Sequence, residues 1–287
     1  MIKSGKIILI LMILSLFVSA QTLPYSSSEN IKIKSENLDK KETDSSDNLQ
    51  KRIRPTRQLT FLKQKQSKEQ KKQLLPKTED LNRFAAFLQQ PKTGIIRLTE
   101  DIGCEPSRYV IRADEDCLKT IPGGSFYSFR EREYSSSALA DIRLKDGLLI
   151  SDGYFSQNML VKLGDVPLES VSLTSSGMDF LTDFVPETNT KDATRQYIKL
   201  VKGIRAGKYE YIKAFPAAEN RTYAMRLIAY KANVESVYRG YIYNPLSGDE
   251  RSDMIIAFRI IRKDKEGISL IWKELQRGKA PKLKLSR

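Results

Sequence analysis

From Leu81 onward the hydrophobic positions fall into short runs whose period changes along the chain. Leu81, Phe84, Ala85 and Leu88 recur at i, i+3, i+4 and i+7, which predicts a short amphipathic helix ended by Pro91 and Gly94. Dense aliphatic and aromatic residues then predict strands over 95–99, 109–112, 125–133, 138–144, 148–151, 159–163 and 168–173. Lys145-Asp146-Gly147 is the signal of a tight hairpin between two of them. The period lengthens again over 190–206. There Ala193, Tyr197, Leu200, Val201 and Ile204 share one helical face, with Thr190 or Asp192 as the cap and Gly207 as the stop. A shorter helix is expected over 178–184. Strands return over 223–232, 237–243, 254–262 and 268–275, joined by turns at 244–249 and 263–267. Within 254–261 both parities are apolar except at Arg259, which places that strand inside a sheet covered on both faces. The pattern therefore predicts one α+β domain over 81–275, a curled and mostly antiparallel sheet packed against one principal helix. A division near Gly164 is the alternative.

The first 80 residues read differently. Lys3 and Lys6 precede an apolar run from Ile7 to Leu14 that continues to Val18, and Val18-Ser19-Ala20 has the small-residue spacing of a processing site. This predicts a secretory signal over 1–20 rather than a membrane span, which needs about 20 apolar residues. Residues 21–80 are polar without a sustained period and are expected to form a disordered linker. Charge is segregated within it: residues 51–77 hold ten Lys/Arg against one Glu. A second basic stretch, 273–287, holds six Lys/Arg against one Glu, and 276–287 is expected as a free tail. The net charge of +14 thus arises chiefly at the two ends, since residues 81–272 carry 27 basic against 25 acidic residues. The expected partners are anionic surfaces or polysaccharides of a periplasmic or extracellular space, reached through 51–77 and 273–287. A transmembrane helix in the mature chain and nucleic acid as a partner are not expected.

Export bears on the two cysteines. Cys104 and Cys117 bound a 14-residue stretch and are expected to pair in an oxidising compartment. The absence of histidine excludes Ser-His-Asp and Cys-His nucleophile systems and His-ligated zinc built from this chain alone. No Walker A loop, G-x-G-x-x-G or G-x-S-x-G occurs, and no cofactor is expected. Three local patterns carry weaker expectations. Asp179 and Asp183, at i and i+4, are the candidate pair for a histidine-independent carboxylate hydrolase. Asp114-Glu115-Asp116 is an oxygen cluster of the type that binds Ca²⁺, though successive side chains of an extended chain diverge. Pro122-Gly123-Gly124-Ser125 resembles an anion-cradling turn without a following helix. Asn220-Arg221-Thr222 is a glycosylation sequon.

Seven of the thirteen tyrosines lie beyond residue 200. Tyr223, Arg226, Tyr230, Arg239, Tyr241 and Tyr243 form a candidate aromatic and basic ligand face for a sugar or single-stranded nucleic acid. Half-buried packing in a pleat is the competing account of the same residues. Weighed together, these features favour a non-enzymatic, disulfide-stapled binding or assembly module. The hydrolase and the sugar or nucleic-acid binder are the alternatives.

Overall fold

The computed structural model describes residues 61–63, 65–106, 110–135, 139–238, 241–247 and 249–284. The expected signal segment, the linker up to residue 60 and Arg239 lie outside them. In chain order the elements begin with β1 (Phe61–Lys63), α1 (Lys68–Gln73), α2 (Thr78–Arg83), α3 (Ala85–Leu88), β2 (Thr93–Thr99) and β3 (Val110–Arg112). Then come β4 (Phe126–Ser128), β5 (Glu133–Tyr134), β6 (Ile142–Lys145), β7 (Leu148–Ser151) and β8 (Ser156–Gly164). After these follow α4 (Asp179–Asp183), α5 (Thr190–Lys202), β9 (Ile204–Ala206), β10 (Tyr209–Ile212), β11 (Ala214–Pro216) and β12 (Thr222–Ala229). The last are β13 (Ser236–Tyr238), β14 (Tyr241–Tyr243), β15 (Ser252–Lys263) and β16 (Gly267–Lys279).

The fold is a mixture of helices and antiparallel sheets. A seven-stranded sheet runs in the order β2-β16-β15-β12-β8-β10-β9, and a five-stranded sheet in the order β11-β7-β6-β4-β5. Side chains of one parity on the large sheet, among them Leu98, Tyr223, Met225, Ile256, Phe258, Leu270 and Trp272, meet Phe129, Ile142, Leu144 and Leu149 of the small sheet or its turns in one apolar core. Each such buried side chain stabilises the fold by about 1.5–3 kcal/mol relative to exposure. The other parity faces the helical side. There Gln157 Nε2 donates to Ala193 O of α5 and Tyr211 Oη donates to Gly177 O beside α4. The 13-residue α5 is the longest helix, but it shares its face with α4, and the opposite face is covered by a second sheet that the periodicity did not predict.

Several boundaries depart from expectation for identifiable reasons. Helix α5 is capped by Asn189, whose side chain accepts from Asp192 N, and it stops at Gly203, where φ is 85°. Ile204–Ala206 leaves the helical period because it pairs with β10. Residues 125–133 turn back as the β4–β5 hairpin instead of running straight. Residues 168–173 hold a 3-10 turn, Leu168–Ser170, after Pro167. The helix expected from Leu81 starts earlier and breaks at Phe84 into α2 and α3. Residues 65–80 are not a free linker: Leu74 is 4% exposed and Asp80 3%. Nor is the C-terminal stretch a free tail. Strand β16 runs to Lys279, Leu283 is buried, and Lys284 O accepts from Thr190 N at 3.2 Å.

Buried charges are matched inside the body. Arg130 Nε donates to Asp141 Oδ1 at 2.7 Å and its Nη1 donates to Asp249, whose other oxygen takes Arg251 Nη1. Arg226 forms a fork on Asp253, Nε to Oδ1 at 3.0 Å and Nη2 to Oδ2 at 2.8 Å. Glu274 is held by Lys92 and Arg277, whose charges keep its carboxyl below the usual range against the opposing effect of burial. Such pairs register elements against one another more than they add net stability, because desolvation offsets most of the attraction.

Among the described residues, 234–245 group apart from this body. They form the antiparallel pair β13–β14 in the register Ser236↔Tyr243, Val237↔Ile242 and Tyr238↔Tyr241, where a single strand was expected. Val237, Tyr241, Ile242 and Tyr243 are all exposed.

Candidate anion-binding face

The basic block enters the body through its own sequence. Ser67-Lys68-Glu69-Gln70 is a capping box: Gln70 N donates to Ser67 Oγ at 3.1 Å, and Ser67 N donates to Gln70 Oε1 at 2.9 Å. Gln66, Gln70 and Leu74 recur every four residues and therefore share the inner face of α1 and its flanks. Gln66 Nε2 donates to Pro122 O at 2.5 Å, Gln70 Nε2 donates to Thr120 O at 3.3 Å, and Leu74 is buried. The chain just upstream is bound to the same region, since β1 pairs antiparallel with β3. With the glutamines inward, Lys68, Lys71 and Lys72 are turned to solvent, flanked by Lys65 and Lys77. All five are exposed, and none pairs with a carboxylate among the described residues.

The platform receiving this helix is the turn that follows the disulfide loop. Cys104 and Cys117 are bonded and, with Ile111, form a small buried cluster. The Pro122–Ser125 turn cradles a carboxylate of the protein itself: Gly123 N donates to Glu105 Oε2 at 2.5 Å. That anion site is thus occupied from within.

A shallow depression of about 410 Å³, open to solvent, lies between the α1–α2 connection and the β15–β16 turn. Gln73, Leu75 and Lys77 line one side, Asp264, Lys265 and Glu266 the other, and Arg97 of β2 is also in its lining. The other six are exposed whereas Arg97 is 5% exposed, so Arg97 forms the floor. Its Nη2 donates to Asp264 Oδ1 at 2.8 Å and reaches Glu266 Oε2 at 3.4 Å. That hydrogen bond holds the Asp264 carboxyl below the usual carboxylate range. Arg97, Ser269 and Arg262 are register partners across β2, β16 and β15, on the face opposite the inter-sheet core. Arg262 is matched by Asp80 through two hydrogen bonds of 2.8 and 2.9 Å. Arg97 is not fully matched. Both Arg97 Nη1 and Ser269 Oγ are buried without a hydrogen-bond partner.

The tyrosine-rich set does not form one face. Period-two alternation along β12 sends Tyr223 to the inter-sheet core and Arg226 and Tyr230 to the helical side. Tyr223 Oη donates to Pro216 O at 2.8 Å and Tyr230 Oη to Gln157 Oε1 at 2.9 Å, while Arg226 is spent on Asp253 and on the carbonyls of Leu181 and Phe184. Of the described members only Tyr241 and Tyr243, on the separate β13–β14 pair, offer exposed surface. Asp179 and Asp183 are both exposed at the two ends of the five-residue α4. Asp114 pairs with Arg112 at 3.2 Å beside exposed Glu115 and Asp116, and no group of three metal-ligating side chains gathers among the described residues. Asn220 of the sequon lies on an exposed turn. What sequence reading missed was the capping box in the basic block and the orphaned floor of the depression. The first was legible as S-x-x-Q, whereas the second needed the strand register. Neither a protein-family model, nor a curated protein, nor a solved structure matches this chain.

Proposed function

We propose that this protein is an exported, non-enzymatic binding module that attaches to anionic surfaces through the lysine face of α1. One observation carries the reading: Lys68, Lys71 and Lys72 stand exposed and unpaired on a helix whose other side is bound to the turn just beyond the disulfide loop. A docked helix presents its charges at fixed spacing, so fewer degrees of freedom are lost on contact than with a free polybasic chain. The buried carboxylates named above are engaged by arginine, lysine or backbone donors, which is the arrangement of a structural interior. Export and the basic flanks support the same reading from the sequence, and the disulfide agrees with an oxidising compartment.

The test is partition onto vesicles of phosphatidylglycerol against neutral phosphatidylcholine, measured by sedimentation at low and high salt. A lysine near such a surface contributes roughly 1 kcal/mol, so K68Q/K71Q/K72Q should weaken partition by about two orders of magnitude. Partition that is unchanged in the triple variant, or insensitive to salt, overturns the proposal.

A further inference from the structure

The floor of the depression holds two polar groups that the protein leaves unanswered. Arg97 is a cation almost entirely removed from water. Its Nη2 is held by Asp264 and Glu266, yet its Nη1 has no acceptor. Directly opposite on β16, Ser269 Oγ is fully buried and also lacks a partner. A single buried, unmet donor is costly, and a charged one more so. Two lie on neighbouring strands, and Arg97 also lines an open depression, so its guanidinium has capacity for one further acceptor on that side. Exposed Lys77 and Lys265 stand in the same lining, and Leu75 adds an apolar wall. The volume of about 410 Å³ lies within the range of small-ligand sites.

We propose that this depression is a receptor site for an oxyanion, the phosphate or carboxylate group of a small molecule or of a surface. Arg97 Nη1 is its buried donor, and Lys77 and Lys265 are its rim charges. Asp264 and Glu266 keep the guanidinium oriented by holding its other nitrogen. Arginine suits the position because its planar fork can face inward carboxylates and an incoming oxyanion at once, which an ammonium does not do with fixed geometry. The site goes beyond the surface reading and stands without it, because Lys68, Lys71 and Lys72 take no part.

Inorganic phosphate is titrated into the purified protein and followed by calorimetry and by backbone amide shifts, with acetate as the carboxylate probe. Saturable one-to-one binding is expected, with shifts centred on Arg97, Lys265 and Ser269. Arg97→Lys keeps the charge but removes the fork and should lower affinity about tenfold or more. Should that variant fold poorly, K77Q/K265Q, which alters only exposed side chains, should lower affinity about three- to tenfold with an unchanged melting temperature. K68Q/K71Q/K72Q should bind phosphate as the parent does, so loss of vesicle binding there and loss of phosphate binding here are separable failures. If free phosphate, added at constant ionic strength, displaces K68Q/K71Q/K72Q from phosphatidate vesicles, the oxyanion belongs to a surface; if it binds without displacing, the ligand is a free small molecule. No saturable shift with either probe, or binding as tight as the parent's in both Arg97→Lys and K77Q/K265Q, overturns the proposal.

Discussion

Removing the carboxylate of Asp253 tests whether the helical side of the large sheet is pinned by charge. Arg226 and Asp253 sit on the same face of β12 and β15, two positions apart in register. The guanidinium donates twice to the carboxylate, and its Nη1 donates to Leu181 O and Phe184 O, both at 2.6 Å. The side chains are only 10% and 16% exposed. In Asp253→Ala the guanidinium remains buried against two carbonyls but without its counter-charge, and breaking such a pair from one side costs about 3–5 kcal/mol. For a body of this size a loss of 1 kcal/mol lowers the melting temperature by about 2–4 °C, so a fall of roughly 6–20 °C is expected. Urea denaturation followed by circular dichroism gives the free energy directly. The double variant R226M/D253A should lose less than the two single variants together, because the stranded charge is gone. It still leaves the Leu181 and Phe184 carbonyls without a donor, so it should not regain parent stability. A cost below about 1 kcal/mol for Asp253→Ala, the range of solvent-exposed pairs, would refute the reasoning.

Three further outcomes are expected. Replacing both Cys104 and Cys117 by Ser should lower stability by roughly 3 kcal/mol in urea, the loop-closure value for a stretch of this length. Burial pushes the Tyr134 hydroxyl up to about 12, and it raises those of Tyr127 and Tyr230. A group whose folded value is raised gives stability that is intact below its unfolded value, about 10 for tyrosine, and is lost as pH rises towards the folded one. Unfolding should therefore become progressively easier from about pH 10 upward, with absorbance at 295 nm showing these three ionising together with the loss of structure. Gly267→Ala would place a methyl group against the carbonyl of Leu98, because β16 begins hard against β2 there. It should cost at least about 1–3 kcal/mol by urea midpoint, whereas Gly278→Ala, whose new carbon meets only ordinary contact, should not.

Local signals were legible where the chemistry is local. Asp146 and Gly147 adopt φ of 52° and 70°, the primed turn that Lys145-Asp146-Gly147 announces. Dense apolar residues of both parities correctly marked β15 as covered on both faces. Length and connectivity were not legible, because they depend on partners far away in sequence. Ile204 fits the α5 face by period yet pairs with Tyr211 in a hairpin that begins right after Gly203. The smaller sheet joins β4–β7 with the distant β11 through pairing of Ala214–Pro216 with β7, and no spacing within either segment announces that bond. The tyrosine face failed on parity, which the sequence contains: Tyr223 differs from Arg226 and Tyr230 by an odd number of positions and cannot share their side of a strand. The arginine at the floor of the depression was invisible for the opposite reason. Its singularity lies in what Asp264, Glu266 and Ser269 leave undone around it, and their positions follow from a turn and a register separated from it by more than 160 residues.

The disulfide loop bears on how the lysine face is held. Cys104–Cys117 closes the stretch that supplies β3, Thr120 and Pro122 lie immediately beyond it, and these are the groups to which β1, Gln70 and Gln66 attach. The basic helix therefore stands on the flank of the closed loop and not on the loop itself. Leu74 adds an anchor of its own, being buried and accepting from Tyr134 Oη through its carbonyl at 3.2 Å. The bridge thereby steadies the lysines from a distance, through the strand and the turn on either side of their footing.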